Sequence, residues 1–303
     1  MTRLKKALAV VVSLAVCTVS AADGLPIDYR NEIEQLDEFP IEVDTLEEFI
    51  QSYYALLESA EYLSGFPFLK REKNVIPDSR QRLGGFLTKL MELRGGVRDK
   101  VTIYQIGDSH VKPGYFSTTA RSSLAKYFVV PANGRSPLLN YQFTGIIGAS
   151  FQNLLPNESV FARCRDLQPD LIVISLGTND AQGSYNAQRF RGELRAFMAK
   201  LQKYRGAATI LFTLPPDSNK GGRHNADVEK VASEIADYAR DEDCATWNLG
   251  EVMGGKGSIT KWRAQDLASR DFIHFSPKGY MLQGYLFYDA LMRAYKANAG
   301  EAR

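Results

Sequence analysis

Leu171-Ile-Val-Ile-Ser-Leu176, followed at once by Gly177-Thr-Asn-Asp180, decides the fold. Only Ser175 interrupts the apolar run. A strand with one wet face would alternate, so a short continuous run of this kind reads as a central parallel strand buried on both faces. Such strands need helical crossovers on either side, and the neighbouring sequence supplies them. Val101 to Ile106 predicts a strand, followed by a helix from about Phe116 to Phe128. Tyr141 to Thr144 is a weaker strand candidate. Ala187 to Tyr204 reads as a helix, Ala208 to Leu214 as a strand closed by Pro215-Pro216, and Asp227 to Arg240 as a helix. Ala245 to Leu249 is the last strand and Pro277 to Tyr295 the last helix. The expectation is a doubly wound parallel α/β sheet.

Composition agrees with a folded, water-soluble body. Of 303 residues, 45% are hydrophobic and 24% charged, too apolar for a disordered chain and without the repeated long apolar runs of a membrane bundle. The net charge of +2 gives no electrostatic reason to expect a nucleic-acid partner. Cys17, Cys164 and Cys244 are too few for a disulfide scaffold, so the core must hold the fold.

The amino end reads separately. Arg3, Lys5 and Lys6, the apolar stretch Ala7 to Val19 and the small residues Val19-Ser20-Ala21 form the pattern of a secretory signal peptide over residues 1–22. Export to the periplasm or beyond is the expectation, an uncleaved anchor being the alternative. The leader carries three basic residues and no acidic one, so its removal takes the charge from +2 to −1. In an oxidising compartment Cys164 and Cys244 could pair or remain separate buried thiols. Residues 23–98 form an expected N-terminal helical extension. Thr45 and Glu48 make a capping box ahead of Leu46, Phe49, Ile50, Tyr53, Leu56 and Leu57, and a second helix is expected over Arg80 to Leu93. The catalytic body is expected over residues 99–303.

Open parallel sheets bind ligands beyond the carboxyl ends of their strands. Gly107-Asp108-Ser109-His110 follows the first strand, Gly177-Thr178-Asn179-Asp180 the central one, and Asp271-Phe272-Ile273-His274 precedes the last helix. Alone, each block is an ordinary turn or capping sequence. Together they supply a hydroxyl, an amide, an imidazole and a carboxylate. A serine becomes a nucleophile when a base takes its proton, imidazole suits that task near neutral pH, and a carboxylate fixes the ring's tautomer. A tetrahedral oxyanion then requires preorganised donors.

The ordered blocks resemble the SGNH hydrolases, the group that includes the GDSL lipases and esterases, over about Val101 to Tyr295. The resemblance implies a flavodoxin-like three-layer α/β/α fold and a carboxylic ester hydrolase. It implies Ser109 as nucleophile, Asp271 as orienter and His274 as base, with Ser109, Gly148 and Asn179 around the oxyanion. Gly148 comes from Gly145-Ile-Ile-Gly148-Ala-Ser, where Gly145 is the competitor. No metal or cofactor is implied. His110 stands where the group's name has Leu, and Ile146 and Ile147 stand where many members carry an asparagine. Gly-Asp-Ser-His with a nearby Pro-Gly, and the tail His274-Phe-Ser-Pro-Lys-Gly-Tyr280, are similar to exported members that include peptidoglycan O-acetylesterases. The expected substrate is therefore a small, acetyl-type ester on a cell-envelope or other polysaccharide, with no integral membrane partner. A periplasmic polysaccharide O-acetyltransferase and a non-catalytic envelope-binding protein are the alternatives. Asp108 is expected to hold the turn, His110 to pack, and Trp247 and Trp262 to lie in the core or at its rim. The loop carrying Arg223 and His224 is expected to overhang the cleft, where either could contact substrate.

Overall fold

The computed structural model describes residues 64–130 and 136–300. The expected signal peptide, the helix opening at Thr45 and Cys17 lie outside them. Two compact units divide after Pro67, and of the first only residues 64–67 are described. The second, Phe68–Arg303, contains the sheet.

Five parallel strands form that sheet: β1 (Lys100–Gly107), β2 (Leu138–Gly145), β3 (Leu171–Ser175), β4 (Thr209–Leu214) and, at the far edge, β7 (Ala245–Asn248). Their order is β2-β1-β3-β4-β7. The chain steps from β1 outward to β2 and returns across β1 to β3, so the strand order reverses beside β1, where this class of fold has its crevice. Leu171 to Ile174 are all buried, as a two-sided central strand requires. The doubly wound fold expected from the strand pattern is the fold observed.

One face carries Tyr104, Ile106, Ile172, Ile174, Ile210 and Phe212. They pack with apolar residues of α4 (Glu158–Leu167), α6 (Ala187–Gln202) and α7 (Asp227–Asp241). Over the other face lie α2 (Gly84–Arg94), α3 (Tyr115–Phe128) and the long α10 (Pro277–Ala299), where Phe116, Trp247 and Phe287 meet ring to ring. Trp247 and Trp262 are fully buried. Cys164 and Cys244 are free buried thiols, pushed up by burial to about 12 and about 11 respectively.

Residues 68–98, grouped at the sequence level with the extension, lie in the same compact unit as the sheet. Buried Asn74 donates to Leu286 O and Asp289 Oδ2 of α10 and accepts from Trp247 Nε1. Lys89 on α2 pairs at 2.8 Å with Asp170, whose other oxygen accepts from Thr102 N. The helix expected over Arg80–Leu93 is in fact two, α1 (Ser79–Arg82) and α2, with the break at fully buried Leu83.

Three further departures bear on the site. Gly177–Asp180, expected as a loop, opens the one-turn helix α5 (Thr178–Gln182). The segment 219–224 is a small antiparallel hairpin, β5 (Asn219–Lys220) with β6 (Arg223–His224). Gly221 and Gly222 turn it, both with positive φ, the geometry a two-residue hairpin loop demands. The helices α4, α8 (Leu249–Val252) and α9 (Ser258–Ala264) were not anticipated.

Candidate active site

Ser109 stands two residues beyond the end of β1, in a turn built by Asp108. The carbonyl of Asp108 accepts from Val111 N and Lys112 N, and its Oδ1 accepts from His110 N at 2.9 Å. The hydroxyl is thereby aimed at the loop ahead of α10. Ser109 Oγ and His274 Nε2 are 2.9 Å apart, and His274 Nδ1 and Asp271 Oδ2 are 2.6 Å apart. The second oxygen of Asp271 accepts from the backbone N–H of both Ile273 and His274, each at 2.9 Å. Burial alone would raise the Asp271 carboxyl, but the bonds from His274 and these two amides outweigh it and hold the group well below the usual carboxylate range. An ionised Asp271 keeps the proton on Nδ1, leaving Nε2 as the acceptor facing the serine.

The loop itself is tightly folded. Phe272 adopts a left-handed backbone (φ +56°), unusual for a residue with a bulky side chain. Its N–H bonds Ser269 O, and Ser269 N bonds His274 O, so the turn closes on itself. Beyond it Ser276 caps α10, accepting from Gly279 N, and Pro277 occupies the first helical turn.

Across the turn, Asn179 projects from α5. Its Nδ2 donates to Ala149 O at 2.9 Å and more weakly to Asp108 Oδ2 at 3.3 Å. The amide thus lies between the Ser109 turn and the loop carrying Gly148. The two glycines of that loop differ. A Cβ on Gly145 would lie 2.2 Å from Lys112 N, so this residue must be glycine for the end of β2 to pack on the Ser109 turn. Gly148 is exposed, has φ +73°, and an added Cβ would meet nothing within 4 Å. Among the described residues no backbone carbonyl accepts the N–H of Ser109 or of Gly148.

Asp108 is buried and pushed up to about 7 by burial, its bond from His110 N and the nearby His274 only partly compensating. Asp180 is likewise raised by burial to about 7 and accepts from Phe151 N. His110 packs between His274, Phe275 and Tyr280, with Nδ1 3.2 Å from the Tyr280 hydroxyl. Burial first, and the neighbouring His274 second, lower it to about 3, so it is neutral. Asp108 and His110 also line a partly open pocket of about 30 Å³ with Ser175, Thr213 and Gln283, large enough to admit water.

The structure therefore brings Ser109, Asp271, His274 and Asn179 to one place at the carboxyl end of the sheet, with Gly148 on the adjoining loop. His224 is differently engaged from what its sequence position suggests. Its Nδ1 lies 2.9 Å from Asp217 Oδ1, at ion-pair distance but out of hydrogen-bond alignment, and its Nε2 is 2.8 Å from Glu229 Oε1. Arg223 is exposed in the hairpin. Sequence reasoning passed over Gln182, Asn219 and Asp217, which tie the hairpin to the surrounding loops. Gln182 carried no local signal, since a helix of five residues displays no period.

Comparison with known proteins bears on the fold and the family. A peptidoglycan O-acetylesterase structure superposes with a TM-score of 0.62 at 18% identity, over 70% of this chain and 96% of the other. A two-domain esterase active on acetylated mannans superposes with a TM-score of 0.54 at 16% identity, over 75% of this chain and 57% of that one. At such identities the likeness is one of fold. No curated protein matches the sequence. The model of the GDSL-like lipase/acylhydrolase family matches residues 106–282, a span that opens at the end of β1 and runs into α10, and by that match the chain belongs to this family of carboxylic ester hydrolases.

Proposed function

We propose that this protein is an exported serine esterase that removes small acyl groups, acetyl foremost, from a cell-envelope polysaccharide. One observation carries the chemistry: the continuous 2.9 Å and 2.6 Å contacts from the Ser109 hydroxyl through His274 to Asp271. In this reading Ser109 Oγ attacks the ester carbonyl carbon as His274 Nε2 takes the hydroxyl proton. The carbonyl π pair moves onto oxygen, giving a tetrahedral oxyanion for which the backbone N–H groups of Ser109 and Gly148 are the proposed donors. Asn179 adds a third donor by giving up its long bond to Asp108, the weaker of its two contacts. The imidazolium, held by ionised Asp271, passes its proton to the departing sugar oxygen as the ester C–O bond breaks. Water then attacks the acyl-enzyme, with His274 again as base, and carboxylate and free Ser109 are released.

The acetyl and polysaccharide part of the proposal is supported by the acetylesterase neighbours, one a peptidoglycan enzyme and one active on acetylated mannans. It is supported also by Gly107-Asp108-Ser109-His110 and the segment His274–Tyr280. Export is supported by the leader pattern of residues 1–22. Among the described residues no helix is long and apolar enough to cross a membrane.

The test compares wild type with Ser109→Ala. The variant is expected to keep its melting temperature and lose release of p-nitrophenol from p-nitrophenyl acetate by roughly 10⁴-fold or more. Unchanged turnover in a folded variant rejects the serine mechanism. Acetate release by wild type from O-acetylated peptidoglycan, set against O-acetylated xylan, then tests the polymer.

A further inference from the structure

Asn219 bridges helix α5 and the loop that carries His274. Gln182, the last residue of α5, donates from Nε2 to Asn219 O at 2.8 Å and to Ser218 Oγ at 3.2 Å. Asn219 donates its own N–H to Phe272 O at 2.8 Å. Asn179 is on the same short helix as Gln182, and Phe272 is next to Asp271 and two residues from His274. Asn219 therefore bridges the element carrying the amide to the loop carrying the imidazole. The hairpin around it is stapled on three sides. Lys220 Nζ donates to Ala181 O and Gly183 O, at the end of α5. Buried Asn225 bonds Ala181 O through Nδ2 and Ser218 O through its N–H. His224 fills the space between buried Asp217 and Glu229 on α7, while Asp217 Oδ2 accepts from Ile259 N in the first turn of α9.

A helix of one turn has almost no intrinsic stability. The acid–base loop turns through the left-handed Phe272, a conformation that persists only when its surroundings over-determine it. We propose that the hairpin Asn219–His224 is a strut that fixes the distance between Asn179 and His274, with Gln182 and His224 as the positioning residues that hold it. The inference rests on the reading of Ser109, His274 and Asn179 as the reacting groups, and it gives His224 a role other than substrate contact.

The experiment uses the mature chain with Gln182→Met, which keeps side-chain length and removes the donor, His224→Ala, and His224→Gln, whose side-chain amide keeps an N–H toward Glu229. Turnover of p-nitrophenyl acetate and hydrogen exchange of the 271–276 amides are read together. Gln182→Met and His224→Ala are each expected to lower kcat roughly 10- to 100-fold by misplacing the reacting groups. KM should stay within about twofold, because ground-state binding is untouched. Exchange at His274 N–H should quicken in both variants, and His224→Gln should recover most of kcat. A raised KM with kcat unchanged would overturn the strut in favour of substrate contact. Unchanged exchange over 271–276 in a folded variant would overturn it as well. If wild type itself fails to turn over the ester, the serine reading fails, and the exchange measurement still decides whether the hairpin holds the loop.

Discussion

Two carboxyl groups approach the Ser109 turn from different directions. Asp271 comes from the loop before α10, is about half exposed on its side chain (45%), and receives three N–H bonds. Asp108 comes from the end of β1, is 1% exposed, and receives one short bond from His110 N and one long one from Asn179. The first is held far below the ordinary carboxylate range, and the second is raised to about 7. Both are Asp in the sequence, and both lie within three residues of a candidate reacting group. What separates them is the number of donors set against the loss of water. Three bonds outweigh partial burial; two do not outweigh complete burial. Asp271 is thus built to stay charged behind an imidazole, and Asp108 to shape a turn.

The largest test of that contrast is Asp271→Asn. An asparagine keeps the shape but offers His274 no anion and favours the wrong tautomer, so kcat is expected to fall by roughly 10³- to 10⁴-fold in steady-state assay. A loss of only a few-fold would mean that the charge on Asp271 matters little. Next is Asn179→Ala, which removes the donor lying between Asp108 and the Gly148 loop. It should lower kcat by about 10²- to 10³-fold with little change in KM, as loss of an oxyanion donor does. A change in KM alone would show that the amide binds the ground state.

The smallest effect sharpens the Asp108 side of the contrast and is read as stability. Its folded-state pKa of about 7 lies above the ordinary 3.8, so between those values the native state holds a proton that the unfolded chain has lost. That contribution is fully present below about pH 4, declines as pH rises, and above about pH 7 the wild type bears the full cost of a buried charge. Asp108→Asn removes the cost. Its melting temperature relative to wild type should therefore climb between pH 4 and pH 8, by a few degrees for each kcal/mol or so relieved. A flat difference would show that Asp108 is ionised throughout. Asp271 has the opposite sign: its contribution is present above its ordinary 3.8 and is lost as pH falls further.

Much of this was legible before folding. The blocks at Ser109, Asn179 and Asp271–His274 could be read because each is a short contiguous run placed by a strand or helix that announces itself through burial. Leu171–Ser175 and α10 are examples, a two-sided strand and a long apolar helix with a Ser-Pro start. The helix α4 had a readable period in Val160, Phe161, Cys164 and Leu167 and was passed over. The one-turn α5 and α8 had none, since four or five residues cannot display a period of 3.6. The role of Gly145 was likewise hidden, because it is set by Lys112 approaching from another loop.

The chain by itself determined which strands are buried on both faces, and it set the serine, amide, imidazole and carboxylate at their ends, because burial periodicity and local turn chemistry are properties of neighbouring residues. Tertiary structure alone decided which aspartate is charged, which glycine is open, and that His224 faces two carboxylates. Those outcomes depend on desolvation and on backbone donors such as Asn219 N–H, a group that every residue but proline carries and that no local pattern can mark.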